Sequence, residues 1–388
     1  MGQTPRVAAV GVGYSTTGRR TGLNSRELAI QAAKAAMADA GMTPKDIDGV
    51  AVLWAVSGPA PPGVESVQAL DIAQMMGFAP VGWYSDGAGP AYIGTALQAI
   101  AAIRAGFCHT CITFRVINQR LSSADLEQGQ DETPAAGDSQ FTMPFGQLLP
   151  LQAIAAMPMQ RHMAVYGTTE EQFAHHAVTQ RYHASLNEDA IFRDPLTVDD
   201  FLAMPYITSP LRILDCDYPV DSGSAVIYTT EERARDFQHK PVFVESAAYS
   251  GKGYMAFEIE DMLESAPFHT AKQLWERTDL EPKDVDCAQL YDGFSIITFQ
   301  WLEALGFCAP GEAGPFIEAG NTRLGGKLPL NTDGGACNVG RRHGTNFCIE
   351  SVRQIRGQCG ARQVPDANTS VWANAVGPFS GAVLMVGD

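Results

Sequence analysis

The chain contains a copy of itself. Residues 43–50 read TPKDIDGV and residues 281–288 read EPKDVDCA. Each follows a segment of helical pattern, 25–40 and 268–279, and each precedes an apolar, strand-like run. Further upstream, VAAVGVGYS at 7–15 matches VFVESAAYS at 242–250 in nearly the same register. A looser third pair is GAGPAYIGTALQAIAAIRAG, ending at Gly106, and GGACNVGRRHGTNFCIESVRQIRG, ending at Gly357. Each is a glycine-rich entry into a helix that stops at a glycine. Solenoid units run to only about 20–50 residues, so a repeat this long means a duplicated domain. Each half runs strand, helix, strand, glycine-rich turn, helix, strand. That order predicts an α/β fold with mixed sheets between helical layers.

The expected division is residues 1–240 and residues 241–388. Residues 115–215 have no counterpart in the second half, so they form an insertion in the first. The insertion opens on a polar stretch, Ser122 to Gln140, expected as a surface loop, and continues into helical segments such as 169–185. A long insertion between matched halves is placed to shape a substrate cavity.

Composition removes several function classes. Acidic side chains outnumber basic ones 43 to 27, for a net charge of −16. A nucleic-acid surface needs clustered Lys and Arg, so none is expected, although a local basic pocket for a phosphorylated group remains open. No run of eighteen apolar residues occurs, and no membrane span is expected. The start, Met1 to Arg6, does not read as a signal peptide, and the residues after Gly2 lack the Ser or Thr of a myristoylation site. Of the eight cysteines, only Cys108 and Cys111 form a CxxC, in an apolar stretch with no second pair, so no structural zinc is expected. Reduced thiols and a cytoplasmic location follow as the default.

Glycine turns ahead of buried helices present free N–H groups at the positive end of a helix dipole, which can hold an oxyanion or activate a nucleophile. A packing turn is the plainer reading of any single one. The paired occurrence, with the motifs that follow, favours a site.

Those motifs run in order: the glycine turn and AIRAG helix, LDCDYPVDSGSAV at 214–226, LYDGFS at 290–295, NTDGGACNVGRRHG at 331–344, and a terminal VGPFSGAVLMV. In this order they resemble the thiolase superfamily over essentially the whole chain, and most of all its sterol-carrier or lipid-transfer thiolase-like branch. The resemblance implies a duplicated five-layer αβαβα sandwich that dimerises through edge strands of the first half.

Departures from the family pattern carry the functional reading. The slot of the first thiolase cysteine falls on Gly89, and that of the second on Ala375. The asparagine of the NEAF motif is Tyr291 here, and the histidine of GHPxG is Arg341, with His343 two residues on. Glycine and alanine cannot form an acyl-enzyme, so a Claisen-type mechanism is not expected. A thiolase pocket without its cysteine still binds a CoA thioester and can stabilise its enolate, which leaves aldol chemistry. The resemblance is strongest to the aldolases that cleave steroid side chains. These split a β-hydroxyacyl-CoA into a ketone or aldehyde and a shorter acyl-CoA, acetyl-CoA or propionyl-CoA. They work with a small OB-fold, zinc-ribbon partner, which implies an α2β2 complex. CoA enters as part of the substrate, and no separate cofactor or metal is expected. Two other readings stay open: an acyltransferase subunit whose cysteine comes from elsewhere, and a non-catalytic acyl-CoA-binding scaffold.

Retro-aldol cleavage needs a base for the β-hydroxyl, donors for the enolate oxygen, and an acid for the α-carbon. Tyr291 is the first candidate; Arg341 or Arg342 would lower its phenol, or it stays a proton donor. His343 is the second, since imidazole suits a base at neutral pH. Some relatives use a second tyrosine in this glycine segment. None follows Tyr291 here, so His343 or Arg341 must fill that place. Tyr249, Tyr254, Asp292, Gly89, Gly335 and Gly381 are the expected substrate-side positions, Asp292 alternatively orienting a neighbour or capping the helix that follows it. Asp215, Cys216 and Asp217 are expected in a buried turn, His175 and His176 on an amphipathic helix as surface or interface groups, and MPMQRHMAVYG at 157–167 in the core or along a cavity wall.

Overall fold

A computed structural model describes residues 5–53, 67–78, 80–87, 91–118, 151–252, 261–376 and 379–388. The first half contributes β1 (Val7–Tyr14), α1 (Ser25–Ala40), β2 (Gly49–Leu53), α2 (Ala69–Met76), β3 (Trp83–Asp86), α3 (Tyr92–Arg104), β4 (Thr110–Ile117) and, after the insertion, β7 (Ser222–Thr230). The insertion holds α4 (Leu151–Tyr166), α5 (Glu170–Ser185), α6 (Val198–Leu202) and a two-stranded ribbon of β5 (Tyr206–Thr208) and β6 (Leu211–Arg212). After the short α7 (Glu231–Ala234), the second half contributes β8 (Val242–Gly251), α8 (Ala266–Trp275), β9 (Cys287–Leu290), α9 (Ser295–Ala304), α10 (Ala313–Glu318), α11 (Ala336–Val339), α12 (Thr345–Ile355), β10 (Thr369–Val376) and β11 (Phe379–Val386).

The repeated sequences fold alike, down to single hydrogen bonds. PKD at 44–46 and PKD at 282–284 each form one turn of 3-10 helix. The aspartate that follows each turn then anchors the start of the strand that pairs parallel with the one it precedes. Asp48 accepts from the backbone N–H of His109 and Thr110, and Asp286 from those of Asn368 and Thr369. Helix α1 starts in a capping box between Asn24 and Glu27 and ends on Gly41 in the left-handed region, both legible in the sequence.

Sheet order is β3-β2-β4-β7-β1-β8-β11-β10-β9. Counted within its half, the first five strands lie third, second, fourth, fifth, first. The rest lie first, fifth, fourth, second. One order is the mirror of the other, apart from a missing third strand, and a single parallel bridge from Ala288 to Leu330 stands in its place. The halves meet where β1 and β8 pair antiparallel at Ala8↔Phe243 and Ala9↔Val242.

Apolar side chains sort into three cores. One lies under α1 and α2, on the outer face of the first-half strands. A second lies under α8 and α9 and includes α4 and α5 of the insertion. Between them, residues of α3 and α12 share a core with β1, β4, β7, β10 and β11. The layers are therefore α/β/α/β/α, as expected, with the two sheets joined at one short seam. Strand alternation sets the facing: on β10, Trp372 belongs to the central core and Val371 and Ala373 to the outer one.

The insertion leans on the opposite half. Phe173 of α5 stacks on Phe299 of α9 at 4.3 Å, and buried His162 of α4 meets Glu303 at 3.0 Å. His176, expected as a surface or interface group, is buried against Phe299 of the other half. Met159 lies in the outer core of the second half, the plainer of the two expectations for its segment. The stretch 122–140 lies outside the described residues. Among the described residues, no helix is long and apolar enough to cross a membrane.

Candidate active site

The YDGF segment continues from β9. Tyr291 N–H donates to the Ala373 carbonyl, so the parallel pairing of β9 with β10 extends to Tyr291. Asp217 N–H donates to the Gly293 carbonyl at 3.1 Å, and Cys216 bridges Phe294 antiparallel. These backbone bonds lay Asp217 beside Tyr291. The Tyr291 hydroxyl donates to Asp217 Oδ2 at 3.2 Å, and Arg341 Nε donates to Asp217 Oδ1 at 2.7 Å. Arg341 is fixed in turn by its own N–H, 2.7 Å from the Tyr218 carbonyl. A Cβ on Gly293 would strike the Tyr291 ring, so the phenol can fold over this residue only if it is glycine.

Electrostatics define what this triad can do. Burial, reinforced by the Asp217 charge, holds the Tyr291 phenol well above its ordinary range, so it is a neutral donor. Burial also raises Asp217, against the pull of Arg341, and makes it a better proton acceptor than an exposed carboxylate. Arg341 feels the same burial, but Asp217 and Tyr291 outweigh it and hold the guanidinium charged. Arg342 is not part of the site: its guanidinium lies 4.0 Å over the Tyr14 ring and donates to Thr17.

Asp292 does not cap α9, whose N-cap Phe294 has no side-chain cap bond. It is wholly buried and accepts from Ala336 N–H at 2.8 Å and Cys337 N–H at 3.4 Å. It therefore pins the loop before Arg341, and burial pushes it to about 7. Gly335 carries φ +71°, and a Cβ there would meet the Asp292 carboxylate. The insertion holds the same loop from outside. Asn187 donates to the Asp333 carbonyl, Arg181 to Asn338, and His183 lies 3.1 Å from the Leu330 carbonyl.

His343 sits in the left-handed region, φ +48°, with its carbonyl held by Tyr92 N–H and Asn374 Nδ2, each at 3.0 Å. Its Nδ1 faces Arg115, with Nε at 3.1 Å and Nη2 at 2.5 Å. A guanidinium only donates, so Nδ1 is the acceptor and the ring is the neutral Nε2–H tautomer. Burial, then the charges of Arg115 and Arg341, keep imidazolium from forming near neutral pH. The expected role of His343 as a base at neutral pH gives way to that of a donor, since Nδ1 is occupied.

The other expected positions divide. Gly381 faces the central layer, where a Cβ would come within 2.6 Å of Ile93 and 2.9 Å of the Tyr249 ring. Tyr249 is 39% exposed and lines an open groove of about 530 Å³ between α3 and β8, along α3 toward Arg104. Gly89 and Tyr254 lie outside the described residues. The two nearby thiols are no nucleophiles: burial pushes Cys216 up to about 12, and Cys337, which donates to the Asp292 carbonyl, well above its ordinary value. Sequence reasoning missed Arg115, a lone cation in the apolar run CITFRVI, and placed Asp217 without giving it a role.

The family described as Thiolase C-terminal domain-like matches residues 248–387. A steroid side-chain-cleaving aldolase of Thermomonospora curvata is 34% identical, covering 99% of this chain and 99% of its own length. The chain belongs to the thiolase superfamily. A second relative in this superfamily, the 17-hydroxy-3-oxo-4-pregnene-20-carboxyl-CoA lyase of Mycobacterium tuberculosis, is 32% identical and covers 98% of this chain and 99% of its own length. A solved structure described as Ltp2-ChsH2(DUF35) aldolase superposes with a TM-score of 0.88 at 30% identity, covering 100% of this chain and 99% of that one. These matches bear out the resemblance carried by LYDGFS and NTDGG, and they attach it to the aldolase branch of the thiolase superfamily.

Proposed function

We propose that this chain is a carbon–carbon lyase that cleaves a β-hydroxyacyl-CoA steroid side chain by retro-aldol reaction. The observation that carries the reading is the Tyr291–Asp217–Arg341 triad in a thiolase-superfamily chain with glycine and alanine at both cysteine slots. In the reaction, the β-hydroxyl gives its proton to Tyr291 as Tyr291 passes its own to Asp217. The Cα–Cβ bond breaks, its electron pair moves onto the thioester as an enolate, and the β-carbon becomes a ketone or aldehyde. Asp217 returns the proton through Tyr291 to the α-carbon, releasing propionyl-CoA or acetyl-CoA. The neutral Nε2–H of His343 and the Arg341 guanidinium hold the enolate oxygen. No cofactor beyond the CoA of the substrate enters this scheme.

The same reading gives the chain a cytoplasmic setting and a small DUF35 partner, an OB fold with a zinc ribbon, in an α2β2 complex. Two copies would join through β3, which ends the sheet and exposes Tyr84. The test combines the chain and such a partner with a steroidal 17-hydroxy acyl-CoA and follows the ketosteroid and free acyl-CoA by mass spectrometry. Cleavage that persists after every thiol is alkylated supports the lyase. Acyl transfer to a second CoA thioester, abolished by alkylation, would replace it with the acyltransferase. Tight CoA binding without turnover would leave a scaffold.

A further inference from the structure

Alternation along β4 sends Ile112, Phe114 and Val116 to the outer core, and Cys111, Thr113 and Arg115 toward the central layer. Arg115 is 2% exposed there. A buried guanidinium normally meets a carboxylate, yet among the described residues Arg115 has none. Its Nη1 donates to the Val116 carbonyl, and both Nε and Nη2 are directed at one atom, His343 Nδ1. His343 is thus fixed at both ends, its carbonyl by Tyr92 and Asn374 and its ring by Arg115. Its Nε2 has no hydrogen-bond partner among the described residues, and the residue is only partly buried. An N–H there is free to meet a ligand.

We propose that Arg115 is a positioning residue: by occupying His343 Nδ1 it locks the ring as an Nε2–H donor aimed at the enolate oxygen of the substrate. This rests on the lyase reading for the identity of the ligand, but the tautomer lock does not. The charged groups acting on the ring are Arg115 from β4 and Arg341 from its own loop; Tyr291 after β9 and Asp217 before β7 act in turn on those two guanidiniums. Tyr92 of α3 and the neutral amide of Asn374 on β10 complete the surroundings. Both nearby cations oppose a second proton on His343, and Arg115 also fixes where the first one sits.

The experiment uses the whole chain with its partner and selective 15N labelling of histidine, with His343→Asn to identify the signal. In the wild type, Nδ1 of His343 reads as unprotonated and Nε2 as protonated, unchanged from pH 5 to 8. Arg115→Met releases Nδ1, so the two ring nitrogens read as exchanging tautomers and the ring's titration moves up toward its ordinary range, with burial and Arg341 still opposing it. It lowers kcat by about 100-fold with KM changed only a few-fold, and an acid limb appears in the pH–rate profile. Arg115→Lys keeps one donor on Nδ1 and restores part of kcat and the flat titration. A wild-type ring that titrates in this range overturns the lock, whether or not any variant folds. So does an Arg115→Met protein whose kcat and histidine signal match the wild type. Because the nitrogen signals need no substrate, a failure of the lyase reading alone would leave them unchanged.

Discussion

Tyr291 and Arg341 are legible as candidates because they occupy positions where the superfamily pattern expects other chemistry. Asp217 and Arg115 are not, because what brings each into the candidate site is a neighbour 74 and 228 positions away in the chain. Removing the Tyr291 hydroxyl tests the relay most directly. Tyr291→Phe should lower kcat by about 100-fold or more in the cleavage assay, while the unfolding free energy read from urea titration changes by only about 1 kcal/mol. An equal loss in Asp217→Asn would place both residues on one proton path; an unaffected Asp217→Asn would break it. Asp292 supplies a stability test with a definite sign. Its folded pKa is raised from 3.8 to about 7, so between those values the native state holds a proton that the unfolded chain does not. Stability should therefore fall as pH rises across that window, by about 1.4 kcal/mol per pH unit from this group alone, and level off above it. Asp292→Asn should flatten the slope in urea titrations from pH 4 to 7. An unchanged slope would show that the carboxyl does not titrate there.

At the scale of elements, the sequence is most informative where local chemistry decides. The two PKD turns, the Asn24–Glu27 capping box and the glycine stops are set by residues within one turn of each other, and the stops at Gly106 and Gly357 appear as expected. The loop from Asn331 to Gly344 is different. Its glycines announce unusual backbone, but its anchors come from afar: Asp292 from the end of β9, and Asn187, Arg181 and His183 from the insertion. No periodicity signals such contacts, and for this reason Asp292 invites the reading of a cap for its own helix. The loop is also where one methyl group should matter. Gly335→Ala meets both a positive φ and the Asp292 carboxylate, and should cost about 1–3 kcal/mol in stability. Cleavage should fall further than the stability loss explains, because Arg341 and His343 follow on the same loop. A variant with normal melting and normal kcat would mean that the loop's geometry does not set the site.

For the whole molecule, duplication predicts two units that look alike, and the sheet order confirms the likeness. It does not predict two units that stand alone. The central core draws on α3 and β4 from one half and α12 and β10 from the other, so each half alone exposes a face that the other buries. The insertion strengthens the dependence in one direction, since Phe173, Ala174 and Leu211 belong to the outer core of the second half although they lie in the first. Residues 241–388 expressed alone lack both the central layer's other side and these outer contacts. They should show no cooperative thermal transition by circular dichroism and should bind hydrophobic dyes, as chains with unmet apolar surface do. Co-expression with residues 1–240 should restore a single transition, because the division falls near the short seam of β1 and β8, where few backbone bonds cross. Independent cooperative folding of the second fragment would mean that its own helices suffice to close the core, and that the insertion serves the catalytic loop rather than the stability of the half on which it lies.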